Sequence, residues 1–286
     1  MISTLFKEGG NPPPLPVIPT YKAGEFGRWR IMPKPLALVP GYFSDVAEAR
    51  GNYALEERHL HREKWKVWMS LTPMELESHI LPIAEARGHV VICGLGMGMA
   101  LFNIASKPEV TRVTVIENDR RVVRMFNQCA DWGDWPGRGK VTLYVNDALG
   151  FTPESRPAPE TLHPNATKEQ LEAMMDRFAW TDVNFLYVDI WRTLGSWAAL
   201  SDVQLIAANL YPEAVAYWGS EFDFVGYLAD KNRVGDFRRA TSELFREWVV
   251  STKLPLIGED YREYPQLAVQ AVKNQARIGY RSKQKK

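Results

Sequence analysis

Cysteine is scarce in this chain, whose 286 residues include only Cys93 and Cys129. Two cysteines cannot build the disulfide framework of a small secreted domain. No leader with a charged start, an apolar stretch and a small-residue cleavage site opens the sequence. We therefore expect a reducing, cytoplasmic environment.

Long apolar runs and an excess of charge of either sign are also missing. The longest apolar stretch, residues 90–102, contains three glycines and is shorter than the ~20 residues of a membrane-spanning helix. The 35 Lys and Arg residues nearly balance the 34 Asp and Glu residues, so the net charge of +1 gives no general attraction to a polyanion. We expect no membrane partner. The 45% hydrophobic content suffices for a large core.

The sequence divides into three predicted parts. Residues 1–70 are an N-terminal arm and helical extension, with a helix predicted over residues 45–68. Residues 71–220 are a ligand-binding core, and residues 221–286 are a helical extension. Its last fourteen residues, 273–286, form a basic tail that we expect to be solvated or frayed. Proline excludes helix from the arm and favours extended backbone there. The prolines of the arm are Pro12, Pro13, Pro14, Pro16, Pro19, Pro33, Pro35 and Pro40.

A helix start is marked between the arm and the core. Thr72 is suited to the N-cap, Pro73 to the first helical position, and Glu75 to the capping-box position three residues after the cap. The pattern predicts a helix from Thr72 to about residue 88, with a kink or break at Pro82.

From residue 89 onward, apolar β-branched runs alternate with segments of helical spacing. Strands that are apolar almost throughout and separated by helices are typical of a parallel sheet covered on both faces. The sequence therefore predicts an α/β fold with a doubly wound, mostly parallel sheet. The predicted strands are 90–92, 112–116, 140–145, 184–188 and 214–218, and the predicted helices are 99–105, 119–130, 167–180, 202–210 and one containing Phe237, Leu244, Phe245 and Trp248.

A glycine-rich loop, Gly94-Leu95-Gly96-Met97-Gly98, follows the first strand of the core and precedes a helix. Glycine allows unusual backbone angles and close approach of a ligand, and a helix N-terminus offers unpaired amide donors. A dinucleotide fingerprint needs glycine or alanine five residues after the first glycine, and Met99 stands there. The loop favours a ligand other than a dinucleotide; a tight turn without a ligand is the alternative.

Acidic residues end the next three predicted strands. Glu117 stands 23 residues after Gly94, where a carboxylate can accept the hydroxyl groups of a ribose. Asp147 can accept the exocyclic amine of an adenine, and Asp189 ends the fourth strand. Open parallel sheets bind ligands at this edge. The alternative for each acid is a cap of the next turn or helix.

This set of residues, in this order and spacing, resembles the class I S-adenosylmethionine-dependent methyltransferases, and the layout also resembles their spermidine synthase-like branch. The resemblance spans roughly residues 72–218 and implies a Rossmann-like fold with S-adenosylmethionine as cofactor. It implies that the glycines approach the amino acid part, that Glu117 holds the ribose and that Asp147 and Ala148 border the adenine. The implied cofactor-binding residues are Gly94, Leu95, Gly96, Gly98, Glu117, Asn118, Asp147, Ala148 and Asp189.

At several motif positions this chain differs from known branches of the family, and these differences argue against particular reaction types. Aminopropyl transferases carry an acid in the glycine loop and a second Asp three residues after the fourth-strand Asp, where this chain has Met97 and Arg192. Aminopropyl transfer is therefore disfavoured. DNA amino-methyltransferases carry two prolines after the acidic or amide residue that ends the fourth strand, and these prolines are missing after Asp189. Cytosine-C5 methyltransferases need a cysteine that follows a proline, and neither cysteine of this chain does so.

The acceptor is expected to lie beside Asp189. We predict that Asp189 is catalytic and orients or deprotonates the acceptor, while Tyr187 and Trp191 form the walls of the substrate pocket. A small-molecule acceptor is favoured by the balanced charge. Two alternatives stay open: a nucleic-acid or protein acceptor bound by residues 62–66 and the basic tail, and a scaffold that binds the cofactor without turnover.

Two further expectations concern metals and subunits. His59 and His61, two residues apart, would point to different sides of a helix, so we predict no metal site. The ten tryptophans are more than usual for a chain of this length. Packing in the core accounts for most of them, and some are compatible with a homodimer surface.

Overall fold

The computed structural model of the protein describes residues 14–45, 47–49, 51–58, 64–155, 182–231 and 240–284. The predicted helix over 167–180, the His59–His61 pair and Phe237 lie outside these ranges. Within them, no helix is long and apolar enough to cross a membrane.

The N-terminal region is built from antiparallel strands. Four strands pair in the order β1-β2-β5-β6, and β3 pairs with β4. The helix predicted over 45–68 is therefore wrong. Pairing between β2 and β5 places Ile31 opposite Leu55, and both side chains are buried, so tertiary burial overrides the local helical preference. The strands are β1 (Gly24–Phe26), β2 (Trp29–Pro33), β3 (Ala37–Val39), β4 (Ala47–Ala49), β5 (Tyr53–Arg58) and β6 (Trp65–Ser70).

The arm packs on the core of its own chain. Its described part contains no helix, in agreement with the proline content. The Tyr21 hydroxyl donates to the carbonyl oxygen of Met97 at 3.0 Å, and the Lys22 N–H donates to the carbonyl oxygen of Cys129 at 2.7 Å. The arm thus contacts both the glycine loop and a core helix.

The predicted helix over 72–88 is divided into α1 (Pro73–Ser78) and α2 (Ile80–Glu85). It begins after Thr72 as expected, but the Thr72 side chain makes no capping hydrogen bond and Glu75 is buried. The break falls at His79 and not at Pro82. Pro82 then lies in the first turn of α2, where a missing N–H removes no helical hydrogen bond.

The core is the predicted parallel sheet, with strands in the order β11-β10-β7-β8-β9. Both faces are covered: Val91 and Cys93 belong to one apolar cluster, and Val90 and Ile92 to the other. This confirms the α/β fold class. The elements are β7 (Gly88–Cys93), α3 (Met99–Ala105), β8 (Val110–Glu117), α4 (Arg120–Cys129), β9 (Val141–Val145), β10 (Phe185–Val188), α5 (Ala199–Leu210) and β11 (Ala214–Tyr217).

Among the residues that the structure describes after the sheet, the helices are α6 (Ser220–Asp230), α7 (Ser242–Thr252) and α8 (Tyr264–Gln284). The expectation of a frayed basic tail is wrong for its first part. Asn274 is fully buried, and its side-chain amide donates to the carbonyl oxygens of Gly41, Tyr42 and Ser44. The amide anchors α8 to the loop after β3, because the carbonyl groups of this loop find their donor there.

Candidate functional site

A cavity opens at the carboxyl edge of the central sheet, where the strand order reverses. The chain runs outward from β7 through β8 to β9 and then returns to place β10 on the other side of β7. Gly94 follows β7 and Asp189 follows β10, so the two residues meet at this switch point. Open parallel sheets bind ligands at such points. The cavity has a volume of about 210 Å³.

The glycine loop forms one wall of the cavity. Gly94, Gly96 and Gly98 have φ angles of +95°, +52° and +78°, which L side chains rarely adopt. A Cβ atom on Gly94 would lie 2.0 Å from the carbonyl oxygen of Asp189. Gly94 and Gly96 line the cavity, but Gly98 does not: it is the N-cap residue of α3. The loop thus needs glycine at Gly94 both for its backbone angle and for close contact with β10.

Glu117 connects the glycine loop to the end of β8. Its Oε2 accepts the Leu95 N–H and its Oε1 accepts the Asp119 N–H, both at 2.9 Å. Burial raises the pKa of the carboxyl, and the backbone N–H groups act against that rise. Glu117 and Asn118 both line the cavity. A carboxylate can accept about four hydrogen bonds, so acceptor capacity remains for hydroxyl groups of a ligand.

The segment after β9 forms the far end of the cavity. Asp147 is exposed, and its Oδ1 accepts the Leu149 N–H at 3.1 Å. It therefore caps the short 3₁₀ turn Ala148–Gly150, which is the alternative considered from the sequence. Asp147 and the buried Ala148 also line the cavity, so capping does not remove Asp147 from the site.

Asp189 lies beside two residues that the sequence analysis did not assign to the site. His79 Nε2 is 3.4 Å from Asp189 Oδ2, and Glu75 also lines the cavity. Sequence reasoning treated Glu75 as a capping residue and left His79 unassigned. The available signal was their spacing of four residues, which places them on the same face of a helix.

Glu75 and His79 are both buried, and the charged groups around them shift their pKa values. Burial raises the pKa of Glu75 to about 8; the Asp189 carboxylate adds to this, and His79 opposes it. Burial alone would lower the pKa of His79, but the hydrogen bond to Asp189 and the charge of Glu75 raise it overall. Perturbed titration in a cleft is typical of functional sites.

Tyr187 and Trp191 both line the cavity, where the sequence placed the substrate pocket. The Tyr187 hydroxyl is fully buried and has no hydrogen-bond partner within the described residues. Trp191 is held by its Nε1, which donates to Asp202 at 2.9 Å. A buried hydroxyl without a partner is costly, so Tyr187 has a donor and acceptor available to a ligand.

The N-terminal sheet covers the cavity. Trp29, Trp68 and Met69 contribute to its lining, and Trp29 Nε1 donates to Asp119 Oδ2 at 2.9 Å. Arg192, which follows β10, lies with its guanidinium 5.3 Å from the Trp68 ring centre. The covering residues were missed from the sequence because β2 and β6 reach the site only through the tertiary fold.

Comparisons with known proteins add little to this geometry. No protein-family profile matches the chain, and no curated protein sequence matches it. The fibrillarin pre-rRNA processing protein of Methanococcus jannaschii is similar, with 13% identity over 82% of this chain and 87% of that chain and a TM-score of 0.34. Spermidine synthase from Thermotoga maritima is similar over 63% of this chain and 62% of that chain, with 9% identity and a TM-score of 0.32.

These similarities are too distant to support an argument about function. The class of protein is defined by the chain's own strand order and cavity. It is a Rossmann-like α/β protein with a cavity at the switch point of its parallel sheet.

Proposed function

We propose that this protein binds S-adenosylmethionine and transfers the methyl group to a small-molecule acceptor. One observation carries the proposal. The glycine loop, Glu117 and Asp147 follow the adjacent strands β7, β8 and β9 in order, and all three border the same cavity.

The residues present fit this cofactor. Gly94 and Gly96 line the cavity with positive φ angles, so the backbone of the loop itself faces a ligand there. Glu117 has acceptor capacity for the ribose hydroxyls, and Asp147 for the adenine amine. The carboxylate of Asp189 suits a neighbouring positive charge. When bound, the cofactor supplies an electrophilic methyl group on a sulfonium ion.

Residues of this chain position the acceptor and accept a proton from it. Asp189 lines the cavity and can take a proton from the acceptor, which neutralises its carboxylate, and His79 Nε2 lies 3.4 Å from Asp189 Oδ2, where it can share that proton. Tyr187 offers a hydroxyl to the ligand. Trp29 and Trp68 cover the site, which reduces the access of water to the reacting atoms.

A small acceptor suits the enclosure better than a polymer does. The cover of Trp29, Trp68 and Met69 restricts approach to the floor of the cavity. The net charge of +1 gives no general attraction to nucleic acid. A nucleic-acid or protein acceptor would instead show affinity that falls steeply with salt or requires a specific peptide.

Calorimetric titration of the purified protein tests the cofactor assignment. We expect micromolar binding of S-adenosylmethionine and S-adenosylhomocysteine and weaker binding of decarboxylated S-adenosylmethionine and NAD. Glu117→Ala should weaken binding about 10- to 100-fold, as loss of a charge-assisted hydrogen bond of ~1.5–3 kcal/mol implies. Glu109→Ala is the matched control, because Glu109 is an exposed acid at the opposite end of β8.

Folded protein that binds none of these ligands would overturn the cofactor assignment. Preference for decarboxylated S-adenosylmethionine would replace methyl transfer with aminopropyl transfer. Because Glu117→Ala also removes hydrogen bonds from the glycine loop, Asp147→Asn at an exposed position gives a second test. It should weaken binding without changing the unfolding midpoint by more than a few degrees.

A further inference from the structure

Two carboxylates and one imidazole meet at the floor of the cavity. Glu75, His79 and Asp189 each offer one donor atom, and these atoms all lie within 4.8 Å of one another. Glu75 is 7% exposed and His79 is 1% exposed. A carboxylate buried in this way is stable as the anion only beside a compensating positive charge, because little water reaches it.

The hydrogen bonding of His79 leaves its second nitrogen facing the carboxylate. Nδ1 lies 2.8 Å from the backbone carbonyl oxygen of Glu75, which can only accept a hydrogen bond. Nδ1 therefore carries a proton, so Nε2, which faces Asp189 Oδ2, is the nitrogen that gives up its proton when a metal ion binds. A backbone carbonyl that orients the ring in this way is typical of histidines that bind metal ions.

The distance between the two facing atoms fits an ion between them. Nε2 and Oδ2 are 3.4 Å apart, longer than the ~2.7–2.9 Å of a charge-assisted N–H···O bond. Two ligands about 2.1 Å from a tetrahedral ion stand about 3.4 Å apart. Glu75 lines the same cavity and offers a carboxylate oxygen to the cluster, so this group is the third ligand.

The surroundings hold the donors in place. The Ser78 hydroxyl donates to the carbonyl oxygen of Glu75 at 2.7 Å and accepts the Nε1–H of Trp218 at 2.9 Å. These contacts fix the end of α1, where His79 follows. Supporting contacts of this kind are what a metal site needs in order to keep its ligands oriented.

We propose that Glu75, His79 and Asp189 bind a divalent transition metal ion such as Zn²⁺, with a fourth position open to the cavity. An imidazole with two carboxylates favours Zn²⁺, Mn²⁺ or Fe²⁺ over Mg²⁺ or Ca²⁺. Three protein ligands with one open position are the pattern of catalytic zinc sites. The open position suits a hydroxyl or carboxylate oxygen of the acceptor.

This site departs from the sequence-based expectation of no metal, which considered only His59 and His61. It does not rest on the proposed function, because the donor set exists whichever cofactor binds. Where both proposals hold, Asp189 acts on the acceptor through the ion instead of directly.

Metal titration without any S-adenosylmethionine tests the site. Protein freed of metal by a chelator is titrated with Zn²⁺ by calorimetry and with Co²⁺ by visible absorption, which reports the coordination number. We expect one equivalent of Zn²⁺, and a Co²⁺ spectrum of a four-coordinate ion. Glu75→Gln, which keeps the backbone carbonyl that orients His79, should weaken Zn²⁺ binding at least about tenfold.

His89→Gln is the matched control. His89 is also buried, but it lies at the opposite end of β7, where its Nε2 contacts the Thr114 hydroxyl at 2.9 Å. Its substitution should leave the cluster's affinity for Zn²⁺ unchanged. Should His79→Gln fail to fold, Glu75→Gln and Asp189→Asn provide the test.

The results separate this proposal from the proposed function. Folded protein without stoichiometric Zn²⁺ binding, or with binding that Glu75→Gln and Asp189→Asn do not weaken, overturns the metal site. So does an NMR spectrum in which His79 Nε2 stays protonated in excess Zn²⁺. Metal binding together with failure of all cofactor titrations supports the metal site and overturns the methyltransferase alone.

Discussion

Substitution of Gly94 by alanine tests whether contact between two strand ends shapes the cavity. The new Cβ atom would lie 2.0 Å from the carbonyl oxygen of Asp189, which belongs to the backbone and cannot rotate away. The Asp189 N–H also donates to the carbonyl oxygen of Cys93 at 2.8 Å. Relief of the clash therefore requires the ends of β7 and β10 to separate and this hydrogen bond to weaken.

Two costs add to give the expected loss of stability. The φ angle of +95° costs an L-residue ~1–2 kcal/mol, and overpacking against a fixed neighbour costs a further ~1–3 kcal/mol. We expect Gly94→Ala to lower the free energy of unfolding by ~2–5 kcal/mol, a large share of the ~5–15 kcal/mol typical of a folded protein.

Two other glycines separate the costs. Gly51 has a φ angle of +60° but nothing within 4 Å of an added Cβ atom, so Gly51→Ala should cost only the ~1–2 kcal/mol of the backbone angle. Gly139 has neither a positive φ angle nor a neighbour within 4 Å. Gly139→Ala should change stability by less than ~0.5 kcal/mol.

Urea unfolding followed by tryptophan fluorescence and circular dichroism measures all three variants. S-adenosylmethionine titration of those that remain folded should show weaker binding for Gly94→Ala alone. Equal losses of stability for Gly94→Ala and Gly51→Ala would refute the reasoning, because the contact with Asp189 would then contribute nothing.

Three further predictions concern side chains at the site. Glu117→Gln leaves one acceptor oxygen for two backbone N–H groups, so urea unfolding should show a loss of ~1.5–3 kcal/mol, and a change under ~0.5 kcal/mol would contradict this. Tyr187→Phe removes a buried hydroxyl without a partner in the described part of the chain, so the melting temperature of the ligand-free protein should stay the same or rise; a fall would show that the hydroxyl has a stabilising contact. Burial alone would raise the pKa of Asp119, but hydrogen bonds from Arg121 and Trp29 hold it at about 2, below its ordinary 3.8. This stabilisation is present above about pH 4 and is lost as the pH falls towards 2, so the unfolding curves of wild type and Asp119→Asn should differ at pH 6 and converge near pH 2; a gap that persists at pH 2 would be evidence against this account.

Local sequence patterns were sufficient to predict the strands and helices of the core. The helix predicted over 99–105 begins and ends at those residues in α3, because a glycine loop starts it and the apolar spacing is complete within seven residues. The five core strands were also predicted, since each is a short, mostly apolar run covered on both faces of the sheet.

The site was predictable to the extent that it follows from strand ends. Gly94, Glu117, Asp147 and Asp189 were named from the sequence, and the structure places all four around the cavity. Their roles towards a ligand stay predictions. Gly98 was named as well, but it caps α3 and lies outside the lining.

The residues that the sequence did not reveal depend on long-range contacts. The local sequence of β5 and β6 does not distinguish them from a helix. They form strands because β2 provides an edge for backbone pairing, and this pairing buries Leu55. The place of His79 in the site could be seen only in the structure, because the break after α1 positions its side chain beside Asp189.

The sequence by itself determined the alternating strands and helices, the glycine loop and the acids that follow the core strands, because these features depend on neighbouring residues and on period. Only the tertiary structure decided that an antiparallel N-terminal sheet covers the cavity and that Glu75, His79 and Asp189 meet on its floor. These outcomes depend on backbone pairing and burial between segments distant in the chain, and no local pattern encodes such pairing.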